Sequence, residues 1–411
     1  MNSKKCRSCN APLETIFCDL GLSPISNAFI KLQDTDNPEV FYPLKACVCK
    51  ECWLVQLESS PDSSAHFHED YVYFSSFSEG WLKHSRNYAE MVVERFKLNG
   101  QSHVIEVASN DGYLLQNFVA SGIPCLGIEP TANTAKVARA KGIETREVFF
   151  GLDVARQLVD EGKKADLLLG NNVFAHVPDI NDFVSGMSYV LKNEGVITLE
   201  FPHLLELVQN NQFDTIYHEH YSYLSLIAIL PIFSKFGLRV FEVEQIGTHG
   251  GSLRVYACHD GAAFETSPSV NIVHSLEISA GLNRLSTYID FADKAATLKR
   301  ELLGVLIEAK NRGKSVACYG AAAKGNTLLN YCGIGTDFID FVVDKNETKQ
   351  NRLLPGSRIP VLDPKVVFEK KPDYLLILPW NIKDEVMFQM ADIRDWGGRF
   401  IVPIPKVEVL L

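Results

Sequence analysis

Two Cys-x-x-Cys pairs, Cys6 with Cys9 and Cys49 with Cys52, stand 39 residues apart at the start of a 411-residue chain. They constrain its folding more than any other feature. Residues 1–70 are short apolar runs cut by Pro, Gly and Asn, too little core for a domain of that size without a staple. Each pair presents two thiolates to one ion, and two pairs complete a closed tetrahedral shell with no place for water. The ion expected is therefore a structural zinc. Six of the ten cysteines fall within the first 52 residues; Cys47 leaves a Cys-x-Cys-x-x-Cys ambiguity, and Cys18 is spare. The N-terminus is polar, without a signal-peptide core. The longest mostly apolar stretch, 224–233, is half of the roughly 20 residues that span a bilayer. These features predict a cytoplasmic protein with no membrane partner, whose cysteines are not a disulfide framework.

Beyond the cysteines the apolar pattern alternates. Helical spacing is read at 80–96, 114–120 and 134–141, and strands at 103–107, 125–129, 166–170 and 196–200. Strands separated by helices predict βαβ units and a parallel sheet. An antiparallel pair follows at 240–246 and 252–257, around the turn Gly247, Thr248, His249, Gly250, Gly251. A long helix over 286–310 carries the stripe Tyr288, Phe291, Ala295, Leu298, Leu302, Val305 and Ala309, read as packing between domains. A second alternation has strands at 316–320, 338–344 and 374–378 and a helix at 323–330, a second and smaller α/β unit. A chain of this length exceeds one ordinary core. Its formal net charge of −10, with no run of Lys and Arg, argues against nucleic acid as a partner.

The first strand runs into Glu106, Ala108, Asn110 and Gly112, similar to the E/D-x-G-x-x-x-G turn of Rossmann-like methyltransferases, with Ala108 where the first glycine stands. Such a turn lets backbone approach a ligand at a helix N-terminus. An acidic Glu106 beside it suits a sulfonium cation. Glu129, 23 residues on, ends the next strand, where a carboxylate accepts ribose hydroxyls. Asn171 and Asn172 follow the strand ending at Gly170. The cofactor expected is S-adenosylmethionine; the loop lacks the G-x-G-x-x-G glycines of a dinucleotide site. Reactive side chains gather in two further places. His176 follows the Asn-Asn strand end, at the carboxyl edge where ligands bind. Tyr217, His218, Glu219, His220 and Tyr221 stand in a row, a set suited to proton abstraction and oxyanion stabilisation, or to metal binding.

Together these motifs, with Tyr71, Tyr73, His249, Arg254 and the run Gly320 to Asn326, resemble the sugar 3-C-methyltransferases of deoxysugar pathways over essentially the whole chain. The resemblance implies an α/β protein in four parts: a zinc-binding domain at 1–70, a Rossmann-like class I methyltransferase domain at 71–270, a helical connector at 271–312 and a smaller Rossmann-like sugar-nucleotide domain at 313–411. It implies a substrate that is an NDP-linked 4-keto-deoxyhexose, methylated at C3 through an enolate. His220 becomes the base, with Tyr217, Glu219, His176 and Tyr71 about it; the extra imidazole of His218 leaves open which one acts. Glu219 is expected to support His220. Tyr73, His249, Arg254, Gly320, Lys324, Asn326 and Asp344 become substrate contacts. The rival readings are an NAD-dependent sugar-nucleotide dehydrogenase or epimerase, an O- or N-methyltransferase of the same fold, and a binding module.

Overall fold

The computed structural model describes residues 4–61 and 73–411. Its strands form three sheets. The central one has seven strands in the order Leu238–Ile246, Ser252–His259, Leu191–Pro202, Ala165–Asn171, Val104–Val107, Cys125–Ile128, Glu144–Arg146. The last five are mutually parallel. Ser252–His259 runs against both its neighbours, as the turn at Gly247 to Gly251 predicts. Ala165–Asn171 is almost wholly buried, which is why it reads Leu-Leu-Leu rather than alternating. The three-residue strand Glu144–Arg146 is too short to show a period, and sequence reading passes over it.

The helices start where side chains cap them. Ser78 accepts from the Trp81 amide ahead of Glu79–Arg95. Asp179 accepts from the Asn181 and Asp182 amides ahead of Ile180–Val190. Such caps satisfy amides that have no partner within the helix.

A second sheet, of eight strands, is built from the C-terminal residues around the parallel core Pro360–Leu362, Val342–Val343, Val316–Tyr319, Tyr374–Ile377, Arg399–Val402. Its far edge is not C-terminal: Ile30–Lys31 pairs with Arg352–Leu353. The third sheet, Thr15–Ser23, Tyr42–Val48, Val55–Leu57, likewise takes its fourth strand, Ser222–Tyr223, from the central region. The N-terminal unit is thus laced into both others. Arg358 pairs with Glu39 at 2.7 Å.

The stripe at 286–310 forms two helices, Leu285–Ile289 and Phe291–Asn311. Phe291 stacks on Phe17 at 4.4 Å and Tyr288 meets the same ring edge-on at 5.8 Å, so the stripe does join units. Leu306 takes the fully buried place expected of Val305. Among the described residues no helix is long and apolar enough to cross a membrane.

Candidate active site

The sulfurs of Cys6, Cys9, Cys49 and Cys52 lie within 4.8 Å of one another. Thiolates about 2.3 Å from a tetrahedral zinc fit inside that span. Gln56 donates to the Cys6 sulfur at 3.1 Å and accepts the Arg7 amide at 2.8 Å, which fixes the first turn. Cys47 is buried outside the cluster and Cys18 packs in the core, which removes the sequence ambiguity.

A cleft of about 650 Å³ opens along the carboxyl edge of the central sheet, and all three units line it. At one end the turn after Val104–Val107 puts Ala108 and Asn110 at positive φ, 56° and 48°. Ala108 therefore holds the left-handed conformation that a glycine would take there, at some steric cost. Glu129 is anchored, not floating: it accepts the Asn110 amide at 2.8 Å, the Thr131 amide at 2.9 Å and the Thr131 hydroxyl. Burial raises its pKa while those donors pull it back. Glu129 also lines the cleft, and a carboxylate so held can receive a vicinal diol. The Asn110 side chain is spent elsewhere; it accepts the Ser75 amide at 2.9 Å and donates to the Tyr73 carbonyl at 3.1 Å. Asn171 and Asn172 line the wall opposite, and Asn172 donates to His249 Nε2 at 2.8 Å. The buried Asn171 amide nitrogen has no partner among the described residues, as befits a group that awaits a ligand. Residues 148–151, after the short strand that sequence reading misses, supply Val148, Phe149 and Phe150 to the same pocket.

Two residues of the glycine turn do not reach the cleft wall. Gly112 serves packing: a Cβ there would stand 2.3 Å from Ile143 and 3.3 Å from Ala138. Glu106 lies behind the wall, buried beside Tyr113, and burial pushes its pKa well up.

The chemical centre lies across the cleft. His220 Nδ1 meets the Thr215 carbonyl at 2.8 Å and Nε2 meets the Tyr217 hydroxyl at 2.8 Å. A carbonyl only accepts, so the neutral ring carries its proton on Nδ1 and offers a lone pair at Nε2. Burial, with His176 next, drives the His220 pKa well below its ordinary value. The His176 ring stands 4.6 Å away, edge to face. His218 points elsewhere, to the Pro43 carbonyl at 3.2 Å, and does not line the cleft. Glu219 lines the cleft but does not brace His220; it accepts from Asn27 at 2.7 Å, and burial pushes its pKa up to about 7. Thr215 and Tyr217 do the bracing. Tyr71 falls outside the described residues, while Tyr73 sits at the cleft mouth.

At the far end stand Ala322, Ala323, Lys324 and Lys349. Lys324 donates to Asn381 and lies over the Trp380 ring at 4.3 Å; burial lowers its pKa to about 8. Lys349, which no motif singles out, donates to the Ala321 carbonyl at 2.9 Å. Four expected contacts are not on the cleft wall, and each has a reason. Arg254 is taken up by Glu200 at 3.0 Å and Glu244 at 2.9 Å. A Cβ on Gly320 would stand 2.6 Å from Pro379. Asn326 is enclosed within its helix packing. Asp344 holds the turn by accepting the Ala321 amide at 2.7 Å and the Asn346 amide at 2.8 Å.

Residues 6–67 match the family of zinc binding domains, 81–243 the methyltransferase domain and 247–405 the C-methyltransferase C-terminal domain. The chain is 36% identical to the C-methyltransferase NovU of Streptomyces niveus, over 99% of this chain and 96% of that one. A ubiquinone biosynthesis O-methyltransferase of Bartonella quintana is 24% identical over 23% of this chain and 38% of its own. Among solved structures, the magnesium protoporphyrin IX methyltransferase of Synechocystis with bound SAM overlays 44% of this chain and 80% of its own at 15% identity, with a TM-score of 0.34.

Proposed function

The chain belongs to the sugar C-methyltransferase family and is an S-adenosylmethionine-dependent enzyme with a zinc-binding domain; from that premise we propose that it methylates C3 of an NDP-linked 4-keto-deoxyhexose in the cytoplasm. Membership in a methyltransferase family sets aside the dehydrogenase reading. The observation that carries the proposal is a buried His220 whose Nδ1 meets the Thr215 carbonyl, which keeps its proton there, and whose Nε2, held by the Tyr217 hydroxyl, lies on a cleft shared with the donor pocket. A proton on carbon beside a ketone is acidic enough for such a base; an ordinary hydroxyl acceptor would need no oxyanion donors around it.

S-adenosylmethionine, when bound, supplies the electrophilic methyl. Glu129 would hold its ribose hydroxyls, and Asn171, Asn172, Val173 and residues 148–150, which line the same end of the cleft, would enclose the rest of the donor. On the sugar side, Tyr217 turns its hydroxyl from Nε2 to the C4 oxygen. That frees the lone pair to take the C3 proton while charge builds on an oxygen already hydrogen-bonded. His176 lies close enough to His220 to serve the same oxygen. Glu219 and Asn27 hold the sugar ring, and His249 steadies Asn172. Lys324 and Lys349 take the diphosphate. Burial has already removed much of their hydration, so an anion that arrives there gains more than it would at a solvated surface.

The test is a panel of 4-keto-6-deoxy sugar nucleotides with labelled donor. The expected product is heavier by one methyl, which NMR places on C3. Methyl on oxygen or nitrogen, or no incorporation across the panel, would overturn the reading.

A further inference from the structure

We propose that Trp380 is a positioning residue that ties the nucleotide end of the cleft to the base. The inference rests on the reading of Lys324 as a diphosphate contact and His220 as the base. One buried side chain makes three contacts that lead to three parts of the cleft. Its indole Nε1–H donates to Asp214 Oδ2 at 2.7 Å. Its ring face carries the Lys324 ammonium at 4.3 Å. Its rim stands against Gly250, where φ is +92° and an added Cβ would come within 2.6 Å of Cη2.

Each contact leads directly to working parts. Asp214 belongs to the turn Phe213–Thr215, and the carbonyl of the next residue, Thr215, accepts from His220 Nδ1 at 2.8 Å. That turn is also pressed by the helix Ala323–Cys332, through Phe213 against Tyr331 at 5.2 Å. Gly250 adjoins His249, which holds Asn172 in the donor pocket at 2.8 Å. Gln212, just before the turn, donates to the Gly250 carbonyl at 2.8 Å and closes the loop. The placement of the Thr215 carbonyl sets the tautomer of His220, and the Asp214 side chain is held by an element of the C-terminal unit. A phosphate that draws Lys324 off the indole changes what Trp380 feels, and Trp380 holds the turn. A buried carboxylate that keeps only the Asp214 and Thr215 amides and loses its indole donor is less well satisfied, so the turn shifts to find another.

The test uses the full-length zinc-loaded protein and the variants Trp380→Phe and Asp214→Asn. Phenylalanine keeps a ring beside Lys324 but has no N–H and a shorter reach toward Gly250; asparagine keeps an acceptor for the indole. The first readout needs no substrate. Nitrogen-15 NMR of labelled histidines, with His220 assigned by its loss in His220→Asn, reports the ring tautomer. The wild type and Asp214→Asn should show Nδ1–H, and Trp380→Phe a mixture. The second is exchange of the sugar C3 hydrogen with deuterium from water, without methyl donor. It should fall tenfold or more in Trp380→Phe, less than threefold in Asp214→Asn, and donor affinity should stay unchanged. A Trp380→Phe protein that melts lower but keeps the tautomer would overturn the inference, as would an Asp214→Asn protein as impaired as Trp380→Phe. If the wild type exchanges no C3 hydrogen, the proposed reaction fails, and the tautomer alone still decides for or against Trp380.

Discussion

Replacing His220 by asparagine separates its chemistry from its packing. The imidazole makes two hydrogen bonds, Nδ1 to the Thr215 carbonyl and Nε2 to the Tyr217 hydroxyl, both 2.8 Å. Alanine removes both and leaves a buried carbonyl without a donor. That costs about 1–3 kcal/mol, or roughly 2–12 °C in a cooperative unit of about 200 residues. Asparagine restores an N–H close to where Nδ1–H stood and deletes only the base, so its stability should stay within about 1 kcal/mol of wild type. A positioned general base contributes about 10²–10⁴-fold in rate, which is about 2.7–5.4 kcal/mol of barrier. His220→Asn should lose that factor in both methyl transfer and C3 hydrogen exchange. Its affinity for S-adenosylmethionine, measured by calorimetry, should not change, because the donor pocket lies across the cleft. Turnover within threefold of wild type in a folded His220→Asn protein would refute the reasoning and return the base to His176 or Tyr217.

Because burial holds the His220 pKa well below its ordinary value, the base stays unprotonated in mild acid. His220 should therefore put no acid limb into C3 hydrogen exchange near the ordinary histidine value of about 6.5; a limb near 7 from Glu219 should vanish in Glu219→Gln, and a limb near 6.5 that persists in that variant would count against the assignment. Folding stability carries the same sign. The unfolded chain takes up a proton below that value before the native one does, so the His220 contribution is intact above it and is lost as pH falls toward the depressed native value. Glu219 acts in the opposite direction, with a pKa raised to about 7: its contribution is full below the ordinary carboxylate range and is lost as pH rises through about 7. Chelation of zinc should open residues 4–61 to proteolysis and abolish turnover together, since Asn27 sits in the cleft; chelated protein that resists protease would show the staple to be dispensable. Gly250→Ala combines a left-handed φ with a 2.6 Å approach to Trp380 and should cost about 2–4 kcal/mol in denaturant unfolding; a loss under 0.5 kcal/mol would mean that the turn relaxes freely.

The parallel sheet is legible in the sequence because Val104–Val107, Cys125–Ile128 and Ala165–Asn171 are apolar runs between helical patterns, and their carboxyl ends carry the acidic and amide residues. The zinc site is legible because ligand chemistry leaves a fixed spacing. The support of His220 is not: it comes from the Thr215 backbone carbonyl, which every residue possesses and no side chain announces. Lys349 and Asn27 reach the cleft only because Ile30–Lys31 crosses into the C-terminal sheet, and a two-residue strand has no period to detect. Arg254 and Asp344, which lie off the cleft wall, are the opposite case. A charge beside a motif looks like a ligand contact, yet buried neighbours of opposite charge or bare amides claim it first.

The crossing of Ile30–Lys31 also bears on how the chain is made. Nearby, Glu39 meets Arg358, a partner 319 positions later. At about 5–20 residues per second, a ribosome takes roughly a quarter of a minute to a minute to deliver it. Through that interval the amino-terminal segment has bound metal but lacks its lateral neighbour, and an open β-margin invites pairing with other nascent chains. Expression that outpaces release would then yield aggregates seeded from the first residues synthesised, and slower translation would raise the soluble fraction.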